Sequence, residues 1–183
     1  FMGDEFGQHR EWSHLHSLDW HLTEEESHQG LQKWVRDLNH LYRSEPALFE
    51  TDFHRDGFAW IDFHDADNSV ISYLRKDKAG RSILAVICNY TPVPRYNYRV
   101  GVAEGGFWEE ILNSDAAEYG GSGLGNMGGV EASAASFYGN FDHTLSVTLP
   151  PLGVVVFRKV RDAELPTDKI GRASCRERVY QPV

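Results

Sequence analysis

The spacing of hydrophobic positions changes once along this chain. From Leu31 to Tyr42 the apolar residues Leu31, Trp34, Val35, Leu38, Leu41 and Tyr42 recur at i, i+3, i+4 and i+7. That spacing gathers side chains into one stripe on a helix of 3.6 residues per turn. Thr23 and Glu26 have capping-box spacing, and Glu24 and Glu25 suit the positive N-terminal end of such a helix. Pro46 closes the helix or opens a short turn through Leu48. A six-residue stripe needs a surface to pack on.

From Phe58 onward the period is two. FAWIDF, VISYLR, SILAVICNYT, YNYRVGV, FWEEIL, TLSVTL and VVVFRK are short segments rich in β-branched and aromatic residues, separated by Gly, Pro and Asp punctuation. Seven strands at this spacing predict an antiparallel sandwich. KDKAG, between the second and third strands, reads as a hairpin loop, and VVVFRK as an edge strand that completes the module. The expected order is a helix followed by an all-β unit.

Charge narrows the partners. The formal net charge is −9, and a basic C-terminal stretch leaves the body more acidic still. An acidic surface repels phosphate backbones, so a neutral ligand fits better than nucleic acid. No apolar run is long enough to span a bilayer or to form the core of a secretion signal. Cys88, inside an apolar strand, reads as a free buried thiol, consistent with a reducing cytoplasm. The second cysteine, Cys175, lies in the tail.

Three motifs invite chemistry. YGGSGLGNMGGV contains Gly123-x-Gly125-x-x-Gly128, but a dinucleotide fingerprint needs a strand before it, a helix after it and an acid about 20 positions on. None is convincing here, the next acid of suitable kind, Asp142, coming too early, so the segment reads as a compact surface loop. His9, His14, His16 and His21 fall close together without metal-ligand spacing, so no metal is expected. The same stretch combines carboxylates with tryptophans. Sugar rings offer apolar faces and hydroxyl edges, which flat aromatics and Asp, Glu, Gln or Arg side chains recognise. From composition alone, Trp12 and Trp20 read equally well as core residues and as stacking platforms.

FMGDEFGQHREW, SLDWHL, GLQKWVRDLNHLYRSEPALFETDF, GFAWID, CNYTPVPRYNYRVGV, FWEEILNSDAAEYGGSGLGN and SVTLPPLGVVVF occur in order. Together they closely resemble the C-terminal part of bacterial 1,4-alpha-glucan (glycogen) branching enzymes of the α-amylase superfamily, over Phe1 to about Val160. The resemblance implies an α+β fragment in which the end of a (β/α)8 TIM barrel, its last βα loop and helix, is followed by an all-β C-terminal sandwich domain. Residues 1–50 would be the barrel remnant, 51–160 the sandwich and 161–183 a disordered tail. From about residue 169, the run IGRASCRERV looks like translated sequencing-adapter sequence.

The implied reaction is a retaining transglycosylation, in which an α-1,4 bond is cleaved through a covalent glycosyl-enzyme and the segment passes to a glucan 6-hydroxyl, making an α-1,6 branch. The family's catalytic carboxylates lie on earlier barrel strands, so no catalytic residue is assigned here. Glu5, Gln8, Trp12, Asp19 and Trp20 match the family pattern and are the substrate-groove or loop-ordering candidates; Asp4 and Leu15 depart from it. The resemblance further implies α-glucan and the N-terminal remainder of the barrel as partners, no cofactor, and a cytoplasmic location. The other readings are a fragment of an α-glucan hydrolase of the same superfamily and a non-catalytic carbohydrate-binding sandwich.

Overall fold

A computed structural model describes residues 1–134 and 141–161. Among these residues, eight strands form two antiparallel sheets, and a helical layer covers one of them. The strands are β1 (Phe58–Asp62), β2 (Val70–Lys76), β3 (Ile83–Asn89), β4 (Arg95–Val102), β5 (Gly106–Asn113), β6 (Gly129–Ala132), β7 (His143–Leu149) and β8 (Val154–Lys159). Six pair in the order β1-β2-β3-β8-β5-β6, while β4 and β7 form the second sheet.

Period-two alternation explains the core. On β2 the residues Val70, Ser72 and Leu74 are buried while their neighbours are partly open. β2 and β3 pair without a break from Val70 opposite Asn89 to Lys76 opposite Ile83. The KDKAG turn forms as expected: Asp77 Oδ1 accepts from the amides of Arg81 (2.6 Å) and Ser82 (3.0 Å), and Gly80 takes φ +63°. The inner face meets Val100, Val102, Leu145, Val147 and Leu149 of the small sheet around the fully buried Trp108 and Phe157. Each such side chain contributes roughly 1.5–3 kcal/mol when removed from water.

The sandwich expectation holds, with two corrections. β6 was not foreseen, because it is four residues long and its first residue is a glycine of the loop sequence. VVVFRK is not an edge strand: β8 pairs with β3 on one side and β5 on the other. An unbroken β-branched run without alternation is the signature of a strand covered on both faces, and β8 has α1 and α2 on its outer side.

α1 (Glu26–Ser44) and α2 (Pro46–Phe49) follow one another with Pro46 opening the second, the position where its fixed φ and missing N–H cost nothing. The capping box does not form. Thr23 lies in a 3-10 turn (Trp20–Glu24), its hydroxyl donates to Trp20 O (2.7 Å), and Glu25 at the helix start has no side-chain cap. The apolar stripe also divides. Trp34 and Leu41 pack on the outer face of the large sheet with Ala47, Leu84, Val86, Leu112 and Val156. Leu31, Leu38 and Tyr42 stay exposed, turned roughly 70° around the helix at about 100° per residue.

Three contacts seat α1 on the loop before β6. Lys33 Nζ meets Glu118 Oε2 at 2.6 Å, the Tyr119 hydroxyl donates to Asp37 (2.9 Å), and Trp34 meets the Tyr119 ring edge-on at 5.2 Å. Gly30 makes this approach possible: a Cβ there would lie 2.4 Å from the Tyr119 carbonyl oxygen. Burial, followed by the bond to Asp37, pushes the Tyr119 phenol well above its ordinary pKa.

An ionic clasp ties the α1–α2 junction to the sheet. Arg158 Nη1 contacts Glu45 at 2.8 Å and Nη2 contacts Glu109 at 2.7 Å, while Ser82 Oγ donates to the other Glu45 oxygen (3.1 Å). The Glu45 side chain is 8% exposed, which makes its pairing obligatory. Cys88 is a free thiol but only half-buried, on the outer face where burial raises its pKa. The 169–183 segment assigned to adapter sequence lies outside the described residues, as does Cys175.

Candidate functional site

The polar-aromatic stretch before α1 folds into a looped platform on that helix. A 3-10 turn (Asp4–Phe6) lies between Gly3 and Gly7, both with positive φ. Phe6 is fully buried, and its carbonyl accepts from His28 Nδ1 at 2.7 Å, which pins the loop to α1. At Gly7 the helix comes so near that a Cβ would sit 2.7 Å from Leu31 Cδ2.

Two side chains close the loop beyond this anchor. Gln8 accepts from the Asp19 amide through Oε1 (2.9 Å) and donates to Arg10 O through Nε2 (2.9 Å). Arg10 grips the Asp19 carboxylate with Nε (2.8 Å) and Nη2 (2.5 Å), a bidentate geometry that fixes orientation as well as charge. Arg10 was one of several charges in the cluster on sequence grounds. Its place nine residues from Asp19 is the only sequence signal of the clasp.

The five candidates therefore separate. Gln8 and Asp19 meet directly and order the loop. Glu5 accepts the Gly3 amide at 3.1 Å, apart from that pair. Trp12 is 43% exposed and rests edge-on against Phe1, and Trp20 is 54% exposed and leans on Phe6 at 5.3 Å between ring centres. Neither tryptophan is buried among the described residues. Asp19 is committed to Arg10 and Glu5 to a backbone amide, so both carboxylates order the loop.

The hydrogen bonds from Arg10 hold the Asp19 carboxyl below the usual carboxylate range. With Arg10→Gln, the Asp19 titration midpoint moves up toward the ordinary carboxylate range, as carboxyl-detected NMR would show. In the parent the clasp is complete above the ordinary carboxylate range and opens as pH falls through the depressed midpoint. An unchanged midpoint in the variant would remove Arg10 as the cause.

The glycine loop is built against phosphate binding. Asp115 accepts from the amides of Ser122 (3.0 Å) and Leu124 (3.1 Å), and Glu110 from the amide of Asn126 (3.0 Å). The N–H groups that would cradle a phosphate thus already face carboxylates. The loop leads into β6, a strand, where a dinucleotide site needs a helix. His9, His14, His16 and His21 are all exposed. Among the described residues no group of three His, Cys, Asp or Glu could hold a metal ion, and no helix is long and apolar enough to cross a membrane.

Comparison with known proteins sets this geometry in context. The chain is 60% identical over 158 residues to 1,4-alpha-glucan branching enzyme GlgB of Aquifex aeolicus (strain VF5), covering 86% of this chain and 25% of the relative. It is 50% identical over 163 residues to the enzyme of the same name from Albidiferax ferrireducens, covering 89% and 26%. The chain spans about a quarter of the length of the curated relatives it matches. Among solved structures, alpha-amylase from H.orenii aligns with a TM-score of 0.42 and 19% identity, covering 71% of this chain and 20% of that one. Residues 60–160 match the family model described as "Alpha amylase, C-terminal all-beta domain", a span that runs from β1 to the end of β8. The chain belongs to the alpha amylase C-terminal all-beta domain family.

Proposed function

We propose that residues 1–160 form the C-terminal part of a 1,4-alpha-glucan branching enzyme, whose complete protein cleaves an α-1,4 bond and transfers the glucan segment to a 6-hydroxyl. The carrying observation is the 60% identity over 158 residues. A match that long within 183 residues is too long for the β-domain alone to supply, so it takes in α1 as well. Residues 1–50 are then the end of a (β/α)8 barrel and 51–160 its C-terminal sandwich. The open stripe of Leu31, Leu38 and Tyr42 faces the barrel strands, and the platform of Glu5, Gln8, Trp12, Asp19 and Trp20 lies on the active-site rim.

In this reading Trp12 and Trp20 stack on glucose units, while Gln8, Arg10 and Asp19 hold the loop that presents them. The carboxylates that break and form glycosidic bonds belong to parts of the parent outside residues 1–183, so the chain by itself is inactive. We place the protein in the cytoplasm, where Cys88 stays reduced.

The test is to recover the parent coding sequence, express the complete protein and incubate it with linear α-glucan, then debranch the product and profile the chains. New α-1,6 linkages are expected. Release of reducing ends without new branches would overturn the proposal in favour of a hydrolase.

A further inference from the structure

A second polar surface lies on the opposite layer from α1. β4 and the β1–β2 connection enclose an open groove of about 500 Å³ lined by Asp65, Asn68, Arg95, Tyr96, Asn97 and Arg99, among others. It exists because β4 is bulged: the register runs from Arg95 opposite Leu149 directly to Tyr98 opposite Val147, so Tyr96 and Asn97 have no partners on β7. Asn97 takes φ +54°, a left-handed conformation that Asn tolerates better than most residues. Bulges of this kind re-aim side chains, and Tyr96 is left 63% exposed.

The floor of the groove is preorganised. The Tyr98 hydroxyl donates to Asp65 Oδ2 (2.6 Å), and the Asn68 side-chain amide donates to both Asp65 oxygens at 2.9 Å. Burial works against the charge on Asp65, but these bonds outweigh it and hold the carboxyl below its ordinary range. Arg95 stands beside it with donor capacity to spare. Its two bonds run through Nη2 and are long, to Asn68 O (3.3 Å) and Thr91 Oγ1 (3.4 Å), and its Nε is buried with no partner among the described residues.

A flat exposed ring beside a guanidinium and a side-chain amide presents an apolar face next to donors and an acceptor, the pattern that a sugar ring complements. The fixed negative charge of Asp65 in the floor offsets Arg95, one of the two guanidiniums of the lining. We infer that the β4 bulge is an auxiliary binding site for a neutral α-glucan chain, with Tyr96 as the stacking platform and Arg95 and Asn97 as hydroxyl partners. The choice of α-glucan rests on the proposed function above; the site itself is separate from the platform formed by residues 4–21.

Affinity electrophoresis of the 183-residue chain through native gels containing glycogen, with barley β-glucan gels in parallel, tests this. Four proteins are compared: the parent chain, Tyr96→Ala, Tyr96→Phe, and a Trp12→Ala/Trp20→Ala double variant. Tyr96→Ala is expected to raise the apparent dissociation constant for glycogen at least about fivefold, the size of an aromatic contact worth about 1 kcal/mol. Tyr96→Phe, which keeps the ring, should stay within about twofold of the parent, and the double variant should keep the Tyr96-dependent part of the retardation. Parent-like migration of Tyr96→Ala overturns the inference, and if the double variant alone loses retardation the branching-enzyme reading still stands. Tyr96-dependent retardation by β-glucan but not glycogen overturns the α-glucan assignment of this site, while the branching assay on the complete protein decides the reading it rests on.

Discussion

Gly30→Val lowers the stability of the chain by about 2 to 3 kcal/mol, as overpacking against a backbone does. Helix propensity alone argues weakly the other way, because valine recovers part of the roughly 1 kcal/mol that glycine costs within a helix relative to alanine. Packing wins because the new atom would lie 2.4 Å from the carbonyl oxygen and 2.8 Å from the carbonyl carbon of Tyr119. That backbone cannot move aside freely: the Tyr119 amide donates to Ala116 O at 2.9 Å, and its hydroxyl is held by Asp37. α1 must lift instead, taking Trp34 and Lys33 from their partners. A urea melt should show the midpoint falling at unchanged slope, with the near-ultraviolet signal of the Trp34–Tyr119 pair weakened. A variant that melts above the parent would show that the close approach does not seat the helix.

Arg158→Met is expected to cost about 2 to 3 kcal/mol, somewhat below the 3–5 typical of a fully buried pair broken on one side. The reason for the reduction is exposure: Arg158 and Glu109 are each about 40% open, while Glu45 is 8% open. Removing the guanidinium leaves the Glu45 carboxylate with Ser82 as its remaining hydrogen-bond partner among the described residues and leaves a charge stranded in the junction. Adding Glu45→Gln should recover part of the loss, since an amide keeps the Ser82 contact without the charge. Denaturation midpoints of the two single variants and the double variant give the coupling directly. If Arg158→Met unfolds with the parent, the clasp is a surface ornament.

The sandwich was readable because its strands advertise themselves residue by residue. Val70, Ser72 and Leu74 alternate with outward neighbours, and Asp77 with Gly80 marks the turn. What escaped depends on contacts that no single segment carries. β6 is called into being by its pairing with β5 from Gly106 to Glu109. The divided stripe on α1 also needed the structure: periodicity says that six apolar residues share a side of the helix, not that two of them meet one sheet. The capping spacing at Thr23 and Glu26 failed because Thr23 spends its hydroxyl on Trp20 O within the preceding turn. At the candidate site, sequence supplied the residue types. The Arg10–Asp19 clasp and the bulge that turns out Tyr96 come from tertiary closure and from a register skip, neither of which a one-residue-at-a-time pattern encodes.

The place of β8 bears on how the protein is made. During synthesis the β1-β2-β3 half can assemble on its own, and β5 and β6 can pair, but the strand that joins them emerges last of those described. Until Lys159 has left the ribosome, β3 and β5 each present an unsatisfied edge to other nascent chains. Loss of a few residues around Val154–Lys159 would therefore split the large sheet down its middle.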